Sequence, residues 1–175
     1  MRPTQKQPEH LAKTDLFAIL DTLGICYNSV KHEPIFTVLD SKTHREPNSA
    51  GAYTKNLFLQ DRKGKMWLVT CEEDRVLNLK QVSVFLNTSR LSFVSTEMLK
   101  RCLGVRSGAV SPLSLINDNT NAISLVFGKE LLSHGHIHFH PMDNSYTVSM
   151  TMISLMKFLE YIEHHPIYLP LNLDD

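Results

Sequence analysis

The run Thr54-Lys55-Asn56-Leu57-Phe58-Leu59 sets a cation and a carboxamide at the start of an otherwise apolar stretch. A charge held by a rigid strand can meet a phosphate or a developing oxyanion, and the same pattern also fits a plain exposed lysine at a strand end. A second candidate is Gly108-Ala109-Val110-Ser111-Pro112, which follows Gly104 closely. It reads either as a tight connection or as a loop whose backbone N–H groups hold a carbonyl oxygen or a water. The third is His140-Pro141 with Asp143, Asn144 and Thr147, a turn that presents polar groups to a site or simply to solvent.

His134, His136, His138 and His140 occupy every second position, so on one strand all four would share a face. Imidazole is a common zinc ligand, but no Asp, Glu or Cys of ligand spacing joins them, and no metal is expected. Cys26, Cys71 and Cys102 are odd in number and scattered, which suits free thiols in a reducing compartment. Neither a G-x-S-x-G elbow, a Walker loop nor a G-x-G-x-x-G turn occurs, which argues against serine hydrolases, nucleotide hydrolases and dinucleotide enzymes.

These groups sit in a chain of 175 residues, 42% hydrophobic and 21% charged, the profile of one globular domain. The 18 basic and 18 acidic residues cancel, against a protein that coats long nucleic acid but not against a few local contacts. No signal-peptide core and no long uncharged apolar run is present, so the expectation is a cytoplasmic protein with no membrane partner.

The elements that must position the candidates follow from periodicity and punctuation. Helical spacing of Leu16, Ile19, Leu20 and Leu23, with Thr14 or Asp15 as cap and Gly24 as stop, predicts a helix over 14–23. Strands are predicted at 26–31, 55–61, 65–71, 91–94, 122–127, 136–140 and 146–150, the second and third joined by the Arg62-Lys63-Gly64 turn. Further helices are predicted over 76–87, over 97–103 with Ser95 or Thr96 as cap, and over 152–163, with a helical turn at 129–132. Residues 37–46 read as exposed helix or loop. The sum is an α+β fold: a single mixed domain over 14–165, its mixed and largely antiparallel sheet packed with helices. It has a flexible lead-in over 1–13 and a tail over 166–175.

Taken together, Lys55-Asn56-Leu57-Phe58-Leu59 with Asp61, the 104–112 loop, and Phe139-His140-Pro141 with Asn144 and Thr147 resemble the YbaK-like aminoacyl-tRNA deacylase family. That family is related to the editing domain inserted in bacterial prolyl-tRNA synthetases, and the resemblance spans residues 16–159. Around residues 55–64 and 139–147 the chain is more similar to the free-standing alanyl-tRNA(Pro) deacylases than to the cysteinyl-tRNA(Pro) branch. The resemblance implies hydrolysis of a mischarged aminoacyl ester without a cofactor. The partners it implies are the acceptor end of tRNA(Pro) and, as a second candidate, prolyl-tRNA synthetase. It puts the essential lysine on Lys55, its neighbour on Asn56, the G-x-x-x-P loop on Gly108 to Pro112, and the histidine on His140. Ser111, Pro112 and Asn144 join Asn56 as expected substrate contacts. Ser107 and Ala109 depart from the proline and serine common in the family, which bears on the stiffness of the loop and not on its backbone donors.

On this reading Lys55 meets the phosphate or ribose, Asn56 and His140 fix ribose and ester, and N–H groups near Gly108 hold the oxyanion or the water. Walls from Ile35, Phe36 and Leu59 would exclude proline by size. RNA contacts are expected at Lys42 with Arg45, or at Arg62, Lys63 and Lys65 near the site. A cysteinyl-tRNA(Pro) deacylase, a non-catalytic tRNA or synthetase adaptor, and a histidine-metal hydrolase remain as alternatives.

Overall fold

A computed structural model of the chain describes residues 9–35, 37, 39, 42, 50–171 and 173. The element order is α1 (Lys13–Thr22), β1 (Tyr27–Lys31), β2 (Ala52–Gln60), β3 (Met66–Glu72), α2 (Leu79–Phe85), β4 (Ser92–Phe93) and α3 (Thr96–Leu103). A 3₁₀ segment (Pro112–Asn117), β5 (Ile123–Gly128), a second 3₁₀ segment (Lys129–Ser133), β6 (Ile137–Phe139), β7 (Tyr146–Met150), α4 (Met152–Tyr161) and β8 (Ile167–Leu169) follow.

The strands form one mixed sheet in the order β1-β7-β6-β2-β3-β5-β8, with β4 also paired to β2. The pairs β1/β7, β6/β7, β2/β3 and β2/β4 are antiparallel. Those of β2/β6, β3/β5 and β5/β8 are parallel. This agrees with the mixed single domain expected from the sequence. The Leu57–Leu59 half of β2, β3 and β5 are largely apolar on both faces because both are covered. Phe58, Leu68, Leu125 and Phe127 enter the main core with Leu16 and Leu20 of α1, Leu99 and Leu103 of α3, and Leu155 and Phe158 of α4. Their strand neighbours Leu59, Trp67, Val69 and Val126 enter a second cluster with Val82 of α2.

Local chemistry sets the helix limits. Asp15 caps α1 from inside its first turn, its carboxylate accepting from the Ala12 N–H at 2.7 Å. The Asn78 side chain accepts from the N–H groups of Lys80 and Gln81, so α2 begins after it and is shorter than the 76–87 expected. Ser95 caps α3 by accepting from Met98, and Gly104, at φ 69°, ends it in the left-handed region.

Both ends of the described chain are tied down more than expected. Asn117 accepts from the Leu11 N–H at 2.8 Å and donates to the carbonyls of Leu11 and Leu103, at 3.1 and 3.0 Å, so residues next to α1 are anchored and not loose. Beyond residue 165, β8 pairs with β5, so this part of the expected tail belongs to the sheet. Most of the 37–46 segment lies outside the described residues.

Candidate functional site

A cleft of about 310 Å³ opens where β2, the loop after α3 and the end of β6 converge. Lys55 and its neighbour Asn56, Gly108 and His140, which come from three segments far apart in sequence, all line it. Alternation along β2 directs Thr54, Asn56 and Phe58 to one face and Lys55 to the other. Lys55 still borders the cleft, because its ammonium donates to the backbone carbonyl of Arg75 in the turn after β3. Asn56 is oriented from β3: its Oδ1 accepts from the Thr70 hydroxyl at 2.7 Å, which leaves its amide to donate, weakly at 3.5 Å, to Thr54 Oγ1. The Thr54 hydroxyl donates to the His138 carbonyl at 2.9 Å and so joins β2 to β6.

Gly108 adopts φ +87°, which an L side chain rarely accepts, and the preceding turn is closed by Ala109 N–H donating to the Arg106 carbonyl at 3.1 Å. The loop therefore brings backbone to the cleft where a Cβ would be strained. Behind it, the Ser111 hydroxyl donates to the His140 carbonyl at 2.7 Å and locks loop to strand. His140 itself donates from Nδ1 to the Tyr146 carbonyl at 2.7 Å, which in the neutral ring makes Nε2 the acceptor. Burial pushes its pKa below the ordinary histidine value, and nearby His32 adds to that, against the opposing effects of the Tyr146 bond and Asp143. The two imidazoles meet edge to face, with centroids 5.9 Å apart.

Several expected contacts belong to the frame instead. Ser111 and Pro112 are buried at the start of the 3₁₀ segment, outside the cleft lining, because Leu113, Leu115 and Ile116 draw that segment into the core. Asn144 also stands back: its amide donates to the Ile35 carbonyl at 2.8 Å and its own carbonyl accepts from the Ile35 N–H at 2.9 Å. It thereby holds Ile35, which does line the cleft, in place. Of the other expected walls, Leu59 faces the second cluster, and Phe36 lies outside the described residues.

The alternating histidines disperse because β6 spans only Ile137–Phe139, so its face does not extend over all four. His134 pairs with Glu72 at 2.5 Å, while His138 stacks on Tyr53 at 4.1 Å and bonds the Ala50 carbonyl at 3.0 Å. Among the described residues no three His, Cys, Asp or Glu side chains form a metal-binding group. Asp143 is held at about pKa 2, burial being outweighed by the hydrogen bonds from Lys13 and Ser145, and it anchors the turn. Lys42 pairs with Asp74 at 2.6 Å, and Arg45 lies outside the described residues. Arg62, Lys63 and Lys65 occupy the far end of the β2–β3 hairpin, roughly 20 Å along the strand from Lys55 but beyond the β2 segment that pairs with the cleft-lining Phe93.

Sequence reasoning missed Glu73, Phe93, Val94 and Leu99, which also line the cleft. Phe93 is 63% exposed and borders it from β4. Glu73 follows a strongly apolar strand within Glu72-Glu73-Asp74, a signal that could have drawn attention to it.

Residues 32–158, most of the chain and the whole span of the cleft lining, match the family model of the aminoacyl-tRNA editing domain. The chain belongs to the aminoacyl-tRNA editing domain family. Among relatives of this family, a prolyl-tRNA synthetase associated domain-containing protein 1 from Danio rerio is 36% identical over 159 residues, covering 90% of this chain and 86% of the relative. The prolyl-tRNA editing protein ProX from Acetoanaerobium sticklandii is 34% identical over 150 residues, covering 85% and 91%. A solved structure described as a candidate trans-editing enzyme for prolyl tRNA synthetase superposes with a TM-score of 0.65 at 16% identity, covering 92% of this chain and 98% of the other. At that identity it supports the editing-domain fold. No helix among the described residues is long and apolar enough to cross a membrane.

Proposed function

We propose that this chain is a trans-editing hydrolase that cleaves the ester of mischarged tRNA(Pro), with alanine as the preferred amino acid. The observation that carries the reading is the convergence of Lys55, Asn56, Gly108 and His140 on one cleft of about 310 Å³ in a member of the editing-domain family. An aminoacyl ester is already activated, so orientation and charge stabilisation can do most of the work without a side-chain nucleophile.

In this mechanism the Lys55 ammonium leaves the Arg75 carbonyl to meet the phosphate or ribose of the terminal adenosine. Asn56, oriented by Thr70, donates from its amide to the ribose or ester. His140 presents Nε2 as an acceptor to the ribose 2′-hydroxyl or to the attacking water, its Nδ1 proton being fixed on Tyr146. Backbone donors of the Gly108 loop take the developing oxyanion. Ile35, Phe58 and Val110 in the lining limit the acyl side chain, as a second sieve that admits what a proline pocket cannot reject.

The test is deacylation of tRNA(Pro) charged separately with alanine, serine, cysteine and proline. The expected order is alanine, then serine, then cysteine, with proline nearly untouched, because an apolar wall discriminates size better than a hydroxyl. Preference for the cysteinyl ester would assign the chain to the other branch, and preferential cleavage of the prolyl ester would defeat the editing reading.

A further inference from the structure

Glu73 is the one acidic side chain among the described residues that line the cleft, and Lys55 is the one lysine or arginine. Glu73 is only 9% exposed, and it is rigidly carried. Its N–H donates to the Tyr53 carbonyl at 3.0 Å, continuing the β2–β3 ladder by one residue. Two positions on, the Arg75 guanidinium bonds Glu130 at 2.7 Å and the Pro170 carbonyl at 2.5 Å, so β8 and the segment after β5 clamp the turn. The same turn supplies the carbonyl that holds Lys55. A cation and an acid therefore both line the cleft from the β2–β3 ladder.

The reaction proposed above leaves Glu73 without a role. Its substrate end is dipolar: phosphate and ester oxygens are electron-rich, whereas the α-amino group of an aminoacyl ester is cationic when protonated. A carboxyl group with little solvent around it interacts much more strongly with an ammonium than with a neutral hydroxyl.

We propose that Glu73 receives the α-ammonium group of the aminoacyl ester and makes the cleft selective for acyl groups with a free amine. This rests on the editing reading and adds a recognition element to it. Lys55 takes the electron-rich side and Glu73 the cationic side, which fixes the direction in which the ester lies. The carbonyl is thereby presented to the Gly108 loop.

Lactyl-tRNA(Pro) separates this from other roles, because it replaces the ammonium of the alanyl ester with a hydroxyl of similar size. With wild-type protein and Glu73→Gln, kcat/KM is measured on both esters, together with Tm. The expected result is a fall of about 30-fold on the alanyl ester, mainly in KM, with the lactyl rate changed little, so that the preference for the amine collapses. An equal loss on both esters would overturn the proposal, pointing to a general base if Tm holds and to a structural role if Tm falls. Unchanged kinetics on both esters would overturn it too, while leaving the editing function intact.

Binding of 3′-deoxy-3′-alanylamino-adenosine and its lactylamino analogue provides a readout independent of turnover. Wild-type protein is expected to favour the alanyl compound and Glu73→Gln to bind the two alike, and equal binding by wild-type protein would refute the role of Glu73. Failure to cleave any aminoacyl ester, with the analogue preference still present, would instead defeat the hydrolase reading.

Discussion

Replacing Lys55 with methionine separates the charge from the side-chain stem. The stem borders the cleft and the ammonium donates to a single backbone carbonyl, that of Arg75. Methionine keeps most of the apolar stem, and water in the open cleft can reach the vacated carbonyl, so the stability cost should be about 1 kcal/mol or less. For a chain of this length that is a fall in Tm of about 2–4 °C. Loss of the fixed positive charge that meets the phosphate or ribose and so positions the ester should cost about 100- to 1000-fold in kcat/KM. The assay is deacylation of alanyl-tRNA(Pro) alongside a thermal melt at the same pH. A folded Lys55→Met protein with wild-type kcat/KM would show that the site is misplaced. A loss of activity accompanied by a Tm drop well beyond 10 °C would show that Lys55 acts through the fold.

The other two predictions concern pH. Because burial and His32 hold His140 below the ordinary histidine value, it should stay neutral at pH 7, and kcat/KM should remain flat down to about pH 6.5 before falling; an acid limb centred above pH 7 would contradict its role as acceptor. The second concerns a buried pair away from the cleft, in which Asp118 accepts from His164 at 3.1 Å and from the N–H groups of Ala122 and Ile123 at 3.1 and 2.8 Å. Burial pushes both groups toward their neutral forms, but the mutual hydrogen bond and the backbone bonds outweigh it, leaving His164 raised and Asp118 lowered. The His164 contribution is complete below about pH 6.5 and is lost as pH rises through its folded value, while that of Asp118 is present above about pH 4 and lost as pH falls. Asp118→Ala should therefore lower Tm by about 6–12 °C, most strongly between about pH 4 and 6.5, and a pH-independent difference in melting curves would count against the pair.

Elements with their own local signals were legible in the sequence. The β2–β3 hairpin was visible because a Gly64 turn separates two apolar runs, and α3 because Ser95 and Gly104 bracket it. The family resemblance brought Lys55, Asn56, Gly108 and His140 together, and the fold places all four on one cleft. By contrast, β8 has three residues after Pro166 and gains its strand geometry only by pairing with β5, so nothing local announced it.

Which way a side chain faces was decided by the tertiary structure. Ser111 and Pro112 belong to a loop with the right motif, yet core packing of Leu113 and Leu115 turns them inward, where the Ser111 hydroxyl supports His140 from behind. Glu73 could not be placed from its acidic neighbours, because its position in the cleft depends on Arg75 reaching Glu130 and Pro170, residues 55 and 95 positions away. The sequence by itself determined the periodicities, the caps and the residue types able to handle an ester. Only long-range pairing decided which of those residues share a cleft and which hold its walls, because a contact between distant segments leaves no mark on the local pattern of either.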